Sequence, residues 1–178
     1  MDSGKDFRTR KAMAWDACNK LEAIWRSNIG NKIKIKLLCA LVEPILLFGA
    51  ETWTLTTRLQ QRLDGTYTNL LRRVQNIHWR EHATLKIIYG DLPPISARLI
   101  QNRTQFAGHC QRATGEAISS LLLWKPTGRV FSRKLTFPGV IARDTGLEIA
   151  DLDTAMLNHD VWREVVHGLT PTAYGTVG

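Results

Sequence analysis

The sequence predicts a mainly α protein: a small bundle of about six helices with a basic loop and a C-terminal helix. Three observations predict it. Apolar residues recur at three- and four-residue steps along most of the chain. Apolar residues make up 44% of its 178 residues, and its six tryptophans can each bury a large area, so a core can form. Turn residues such as Gly30 and the stretch "YGDLPP" fall between the periodic segments.

The elements follow in order. From Asp6 to Ser27, Ala14, Ala17, Cys18, Leu21, Ile24 and Trp25 mark one amphipathic helix, which "SNIGN" breaks with Gly30 as the stop. "KIKIK" alternates like a strand, but the continuous apolar run after it favours a helix, kinked or shifted by Pro44. "TLTTRLQQRLDGTYTNLLRRVQN" is the clearest helix. Leu59, Leu63, Tyr67, Leu70, Leu71 and Val74 fall on one face, with Arg58, Arg62, Asn69, Arg72 and Arg73 on the other. Gly65 lies on the basic face and costs about 1 kcal/mol of helix propensity relative to alanine.

After the "YGDLPP" turn a helix runs from Ile95 to Arg112, with Ile95, Leu99, Phe106 and Cys110 as its apolar stripe. A short helix spans Glu116 to Leu123. Residues 125–139, "KPTGRVFSRKLTFPG", read as a basic loop. The last helix, Asp151 to His167, buries Leu152, Met156, Trp162 and Val166. The expected organisation is a helical domain over 1–124, the loop over 125–139 and a C-terminal helical extension over 140–178.

Charge is the most informative bulk property. The net value of +8 is distributed as +5 over residues 1–36, −2 over 37–57, +6 over 58–112, +3 over 113–142 and −4 over 143–178. A basic body with an acidic end points to a polyanionic partner. Three cysteines without a C-x-x-C pair suit a reduced, intracellular protein. The charged N-terminus lacks the apolar region of a signal peptide. The longest apolar run, Leu37 to Ala50, is interrupted by Glu43 and Pro44 and is too short to span a membrane. The expected location is the nucleus or cytoplasm, with no membrane partner.

The candidate chemistry is mostly rejected. "HWREH", residues 78–82, fits the H-x-x-E-H pattern of one class of zinc peptidases. Such a site needs a third ligand, and neither Asp91 nor Glu116 is marked as one. A three-residue match within five positions arises easily by chance, and an exposed polar helix end explains it as well. His109-Cys110 lacks a second ligand pair, and Cys110 fits a buried stripe better. Phosphate-binding glycine loops and adjacent aspartates are both absent from the sequence. No catalytic residue, metal or cofactor is expected.

The arginine face remains. Arg58, Arg62, Arg72 and Arg73 are candidates to track a phosphate backbone, helped by Lys32, Lys34, Lys36, Arg98 and Arg112.

Several stretches carry a resemblance: "RKAMAWDACNKLEAIWRS", "LVEPILLFGAETWTLT", "LRRVQNIHWREHATLKIIYGDLPPISARLIQNRTQFAGHC", "LLLWKP" and "RDTGLEIADLDTAMLNHDVWREVV". In that order they resemble the C-terminal part of RTE-type non-LTR retrotransposon endonuclease–reverse transcriptases, over about residues 5 to 167. "GAETW" at Gly49–Trp53 and "RTQFAGHC" at Arg103–Cys110 are the most specific blocks. The resemblance implies the region after the polymerase palm, a helical thumb that grips template–primer duplex by its backbone. The endonuclease, fingers and palm, with the catalytic aspartates, would lie upstream, so polymerase activity does not transfer to this chain. The implied partners are RNA, DNA or an RNA–DNA hybrid, and the missing palm. One departure stands out: Val130 and Phe131 interrupt the run after "LLLWKP", which in the family is denser in arginine, glycine and proline. The rival expectation is a non-enzymatic helical interaction module or an inactive transposable-element remnant.

Overall fold

A computed structural model describes residues 3–113, 117–122 and 136–169, without the side chains of 120 and 121. Among these residues all regular structure is helical, as the periodicity predicts. They fall into two compact units, residues 3–96 and 97–169, and the division lies in the first turn of one helix.

The first unit opens with α1, Ser3–Lys20, and α2, Glu22–Arg26. The sequence predicts one helix here, but it breaks at Leu21. The Trp25 indole folds back and donates its Nε1–H to the carbonyl of Cys18 at 2.8 Å. That carbonyl also accepts the Leu21 N–H, three residues on, so the turn tightens. Next, α3 spans Asn31–Leu37, so "KIKIK" is helical despite its alternation. Gly30 stands at the head of α3 and not at the end of the helix before it.

Pro44 has the predicted effect in a specific form. A π-helical turn, Leu38–Val42, precedes α4, Glu43–Leu47. The Glu43 N–H reaches back five residues to the carbonyl of Leu38. The chain thereby starts a new helix in which proline occupies the first turn, where no N–H is needed. Gly49, at φ 71°, ends α4 in the left-handed region. After a 3₁₀ turn over Ala50–Thr52 comes α5, Thr57–Val74, whose first turn is capped by the Thr56 hydroxyl accepting from the Leu59 N–H. A second 3₁₀ turn, Trp79–Glu81, and a short α6, Leu85–Tyr89, follow.

Phe7, Cys18, Trp25, Leu46, Trp53, Leu63, Tyr67 and Leu71 are all buried in this unit. One polar cluster lies among them. The Tyr67 hydroxyl donates to Glu43 Oε2 at 2.8 Å and sits 3.5 Å from Cys39 Sγ. Burial, and then the Glu43 carboxylate, push the phenol far above its usual range, so it remains a donor.

The second unit takes most of α7, Ile95–Arg112, then α8, Ala117–Leu122, α9, Phe137–Thr145, α10, Leu152–Leu157, and α11, His159–Gly168. Ala107, Cys110, Ile141, Leu152, Met156, Trp162 and Val166 form its core. Three expectations are corrected here. Phe106 is 42% exposed, and Ala107 takes its place on the buried stripe of α7. Phe137–Gly139, read as the end of the basic loop, open α9: Thr136 caps it and Pro138 sits in its first turn. The rest of that loop, including Val130 and Phe131, lies outside the described residues. The last predicted helix is divided at Asn158, whose carboxamide accepts the N–H groups of Asp160 and Val161 and so starts α11.

Two contacts hold this unit tightly. Trp162 lies against Gly108 so closely that a Cβ there would stand 2.1 Å from the indole Nε1. Arg103, fully buried, pairs with Asp144 at 2.8 Å.

Candidate nucleic-acid interface

The site begins with the two faces of α5. Leu59, Leu63, Tyr67, Leu70, Leu71 and Val74 are buried, as the periodicity predicts. Arg58, Arg62, Gly65, Asn69 and Arg73 are exposed along the opposite side. A Cβ on Gly65 would meet open space, so the middle of this face is unobstructed.

The acid on this helix is turned away. Asp64 accepts the Ser96 N–H at 3.0 Å and the Ser96 hydroxyl at 2.8 Å. Burial raises its pKa, although both Ser96 bonds pull the other way. The Arg62 guanidinium lies 5.3 Å from the centre of the Phe7 ring, a cation–π contact that steadies the side chain while leaving it exposed. Arg73 pairs with Glu22, which also holds Arg26, so its charge is partly neutralised.

The other predicted contacts divide sharply. Arg72 is half-buried and donates to the carbonyl of Ala83 at 3.0 Å, fastening the segment after α5. Lys34 is buried, and its ammonium donates to the carbonyl of Trp25 at 2.7 Å. Lys32 and Lys36 are exposed. The π turn that follows them meets α5 at Tyr67, through Cys39, on the side opposite Arg58 and Arg62. Arg98 and Arg112 belong to the second unit, where Arg112 Nη1 donates to the Met156 carbonyl at 2.7 Å. The residues brought together are therefore Arg58, Arg62 and Arg73, with Arg72 at their edge.

Two further residues escape a reading of single helices. Phe7 of α1 meets Arg62, and Glu22 of α2 meets Arg73, so the α1–α2 segment and α5 run in the same direction. Exposed Lys11 and half-buried Trp15 follow Phe7 at four-residue steps on α1. Nothing in either helix alone signals a pairing across some fifty residues.

"HWREH" forms a capped turn. His78 Nδ1 accepts the Arg80 N–H, while Glu81 accepts the His78 N–H at 2.7 Å. His82 follows in the left-handed region at φ 47°. Among the described residues no three His, Cys, Asp or Glu side chains are placed to hold a metal ion. Cys110 lies in the core of its unit. No helix among the described residues is long and apolar enough to cross a membrane.

No family model matches the sequence, and no solved structure matches it. Over 128 residues the chain is 26% identical to an uncharacterized transposon-derived protein of Caenorhabditis elegans, covering 68% of this chain and 46% of that one. The chain thus spans about half the length of the curated relative it matches, and that relative is transposon-derived.

Proposed function

We propose that the chain corresponds to the thumb and C-terminal region of a non-LTR retrotransposon reverse transcriptase, and that it binds nucleic acid through the phosphate backbone. The binding surface is the exposed face of α5. One observation carries this reading: Arg58, Arg62 and Arg73 share a side from which the acid of the helix, Asp64, is turned away. Guanidinium groups spaced along a helix contact successive phosphates without reading bases. The relation to a transposon-derived protein supports the same origin.

Fluorescence anisotropy with an RNA–DNA hybrid duplex, titrated with salt, tests it. Binding should weaken linearly in log–log form. The slope, about −0.9 per phosphate contact on duplex DNA, should correspond to two or three contacts and not to all nine predicted cations. Charge reversal at Arg58 and Arg62 should abolish binding at moderate salt. Unchanged affinity in that double variant would overturn the assignment.

A second reading rests on a separate observation. A groove of about 500 Å³ between α1 and α4 is lined by Ala12, Met13, Ala17 and Ile45, with the Asp16–Lys20 ion pair at its edge. Met13 is 48% exposed, and Phe48, one turn beyond Ile45, is 64% exposed. Such a surface suits a helical interaction module or a remnant separated from its neighbouring domain. Concentration-dependent self-association in sizing experiments, without nucleic-acid binding, would favour it.

A further inference from the structure

The second unit contains a cationic cleft, one wall of which comes from the segment of negative net charge. Its volume is about 260 Å³, at the small end of ligand sites. Gln105 and Arg112 of α7 line one side, and His159, Trp162, Arg163 and His167 of α11 line the other. None of the lining residues is acidic. On a 3.6-residue helix Glu164 falls outside the stripe that 159, 162, 163, 166 and 167 form, while Asp160 stands at its edge, paired with Arg163.

The chemistry of the lining narrows the ligand. The Trp162 ring is 2% exposed, and its indole N–H is used on the carbonyl of Thr104 at 2.9 Å. It offers no face on which a nucleobase could stack, only an apolar floor. What reaches the opening is a carboxamide, two imidazoles and two guanidinium groups. Arg112 is held in place by its bond to the Met156 carbonyl, and no acid is paired with it among the described contacts. Arg163 is shared with Asp160 at 3.0 Å, and His159 Nδ1 lies 3.8 Å from the same carboxylate. Two guanidinium groups lining one cleft over an apolar floor suit a tetrahedral oxyanion.

We propose that this cleft is a phosphate-binding site, distinct from the face of α5 and taking one phosphate group, either free or within a nucleic-acid backbone. Asp160 acts as an internal competitor for Arg163. The proposal does not depend on the reading of α5, and the test keeps the two apart. The full chain carrying Arg58→Glu and Arg62→Glu serves as background. Inorganic phosphate is titrated into it while the Trp162 indole N–H and the histidine signals are followed by NMR. A single-stranded oligonucleotide is titrated in parallel by anisotropy. Arg163→Gln and Asp160→Asn are then compared. Both side chains are well exposed, Arg163 at 58%, so neither change disturbs the core.

Phosphate should shift the Trp162 and His159 signals saturably. Arg163→Gln should weaken the effect several-fold, and Asp160→Asn should strengthen it. If the source is a nucleic acid, the oligonucleotide's affinity should follow the same order, and Arg163→Gln should reduce its salt slope by about 0.7, one single-strand contact. A response to phosphate alone would keep the site and assign it to free phosphate. Signals that do not move with phosphate, or a phosphate affinity indifferent to both substitutions, would overturn the proposal, whatever happens at α5.

Discussion

α3 and α5 are both strongly basic helices, and in sequence their cations look interchangeable. The structure uses them differently. In α3 the central Lys34 is buried and supplies a hydrogen bond to the end of α2. In α5 Arg58 and Arg62 stand outward while the apolar face fills the core. Arg103 of α7 is the extreme of the first kind, fully enclosed and paired with Asp144. Net charge therefore overstates the charge available to a partner, because a cation that holds a carbonyl or a buried carboxylate is part of the fold.

The sharpest way to break this division is at Arg103. Asp144→Ala should destabilise the second unit by about 3–5 kcal/mol, since it removes the acid from an enclosed cation. Chemical denaturation measures this, and a loss near zero would place Arg103 with the outward cations. Lys34→Met should cost about 1.5–3 kcal/mol, the range for a hydrogen bond to a charged group. It should leave the salt slope of nucleic-acid binding unchanged, and a smaller slope would mean Lys34 contacts phosphate after all. Arg58→Glu with Arg62→Glu is the mirror case. Stability should stay within about 0.5 kcal/mol per site, as for ordinary surface changes, while binding is lost.

The smallest effect concerns Asp64. Its pKa is raised in the fold, chiefly by burial. Folding therefore favours its protonated form. That contribution is fully present below the ordinary aspartate value of about 3.9 and is lost as pH rises through the raised value. Asp64→Asn should flatten the stability of the first unit across the window just above about pH 4. An identical pH profile in the variant would show that Asp64 titrates normally.

How much of this was legible in the sequence depended on whether the deciding contact was local. The two faces of α5 and the core stripe of α10 and α11 were legible, because residues three and four apart report a helix face directly. The helical class followed from the same signal. The break at Leu21 was not, since it depends on the Trp25 indole reaching Cys18. The inward turn of Lys34 was hidden by an alternating pattern that gives every lysine the same neighbours. α9 was mistaken in part for loop because Pro138 and Gly139 resemble breakers, although a Thr cap followed by proline in the first turn is also a start signal. The cationic cleft was masked by its setting: summed charge over 143–178 is negative, His159, Arg163 and His167 alternate in sequence with Asp160 and Glu164, and Arg112 comes from another helix.

The π turn at Leu38–Val42 has a consequence for how this chain can change length. A π turn is an α-helix holding one extra residue. Removing a single residue there, Ala40 for instance, would close the turn into a continuous α-helix and leave the residues after it close to their present phase. Leu46 and Glu43 would keep their faces, but Pro44 would fall inside a continuous helix, against the carbonyl four residues before it. Substitutions in this stretch change one side chain at a time, whereas a one-codon deletion changes what surrounds the proline. The extra residue of the turn is what keeps Pro44 out of a helix interior.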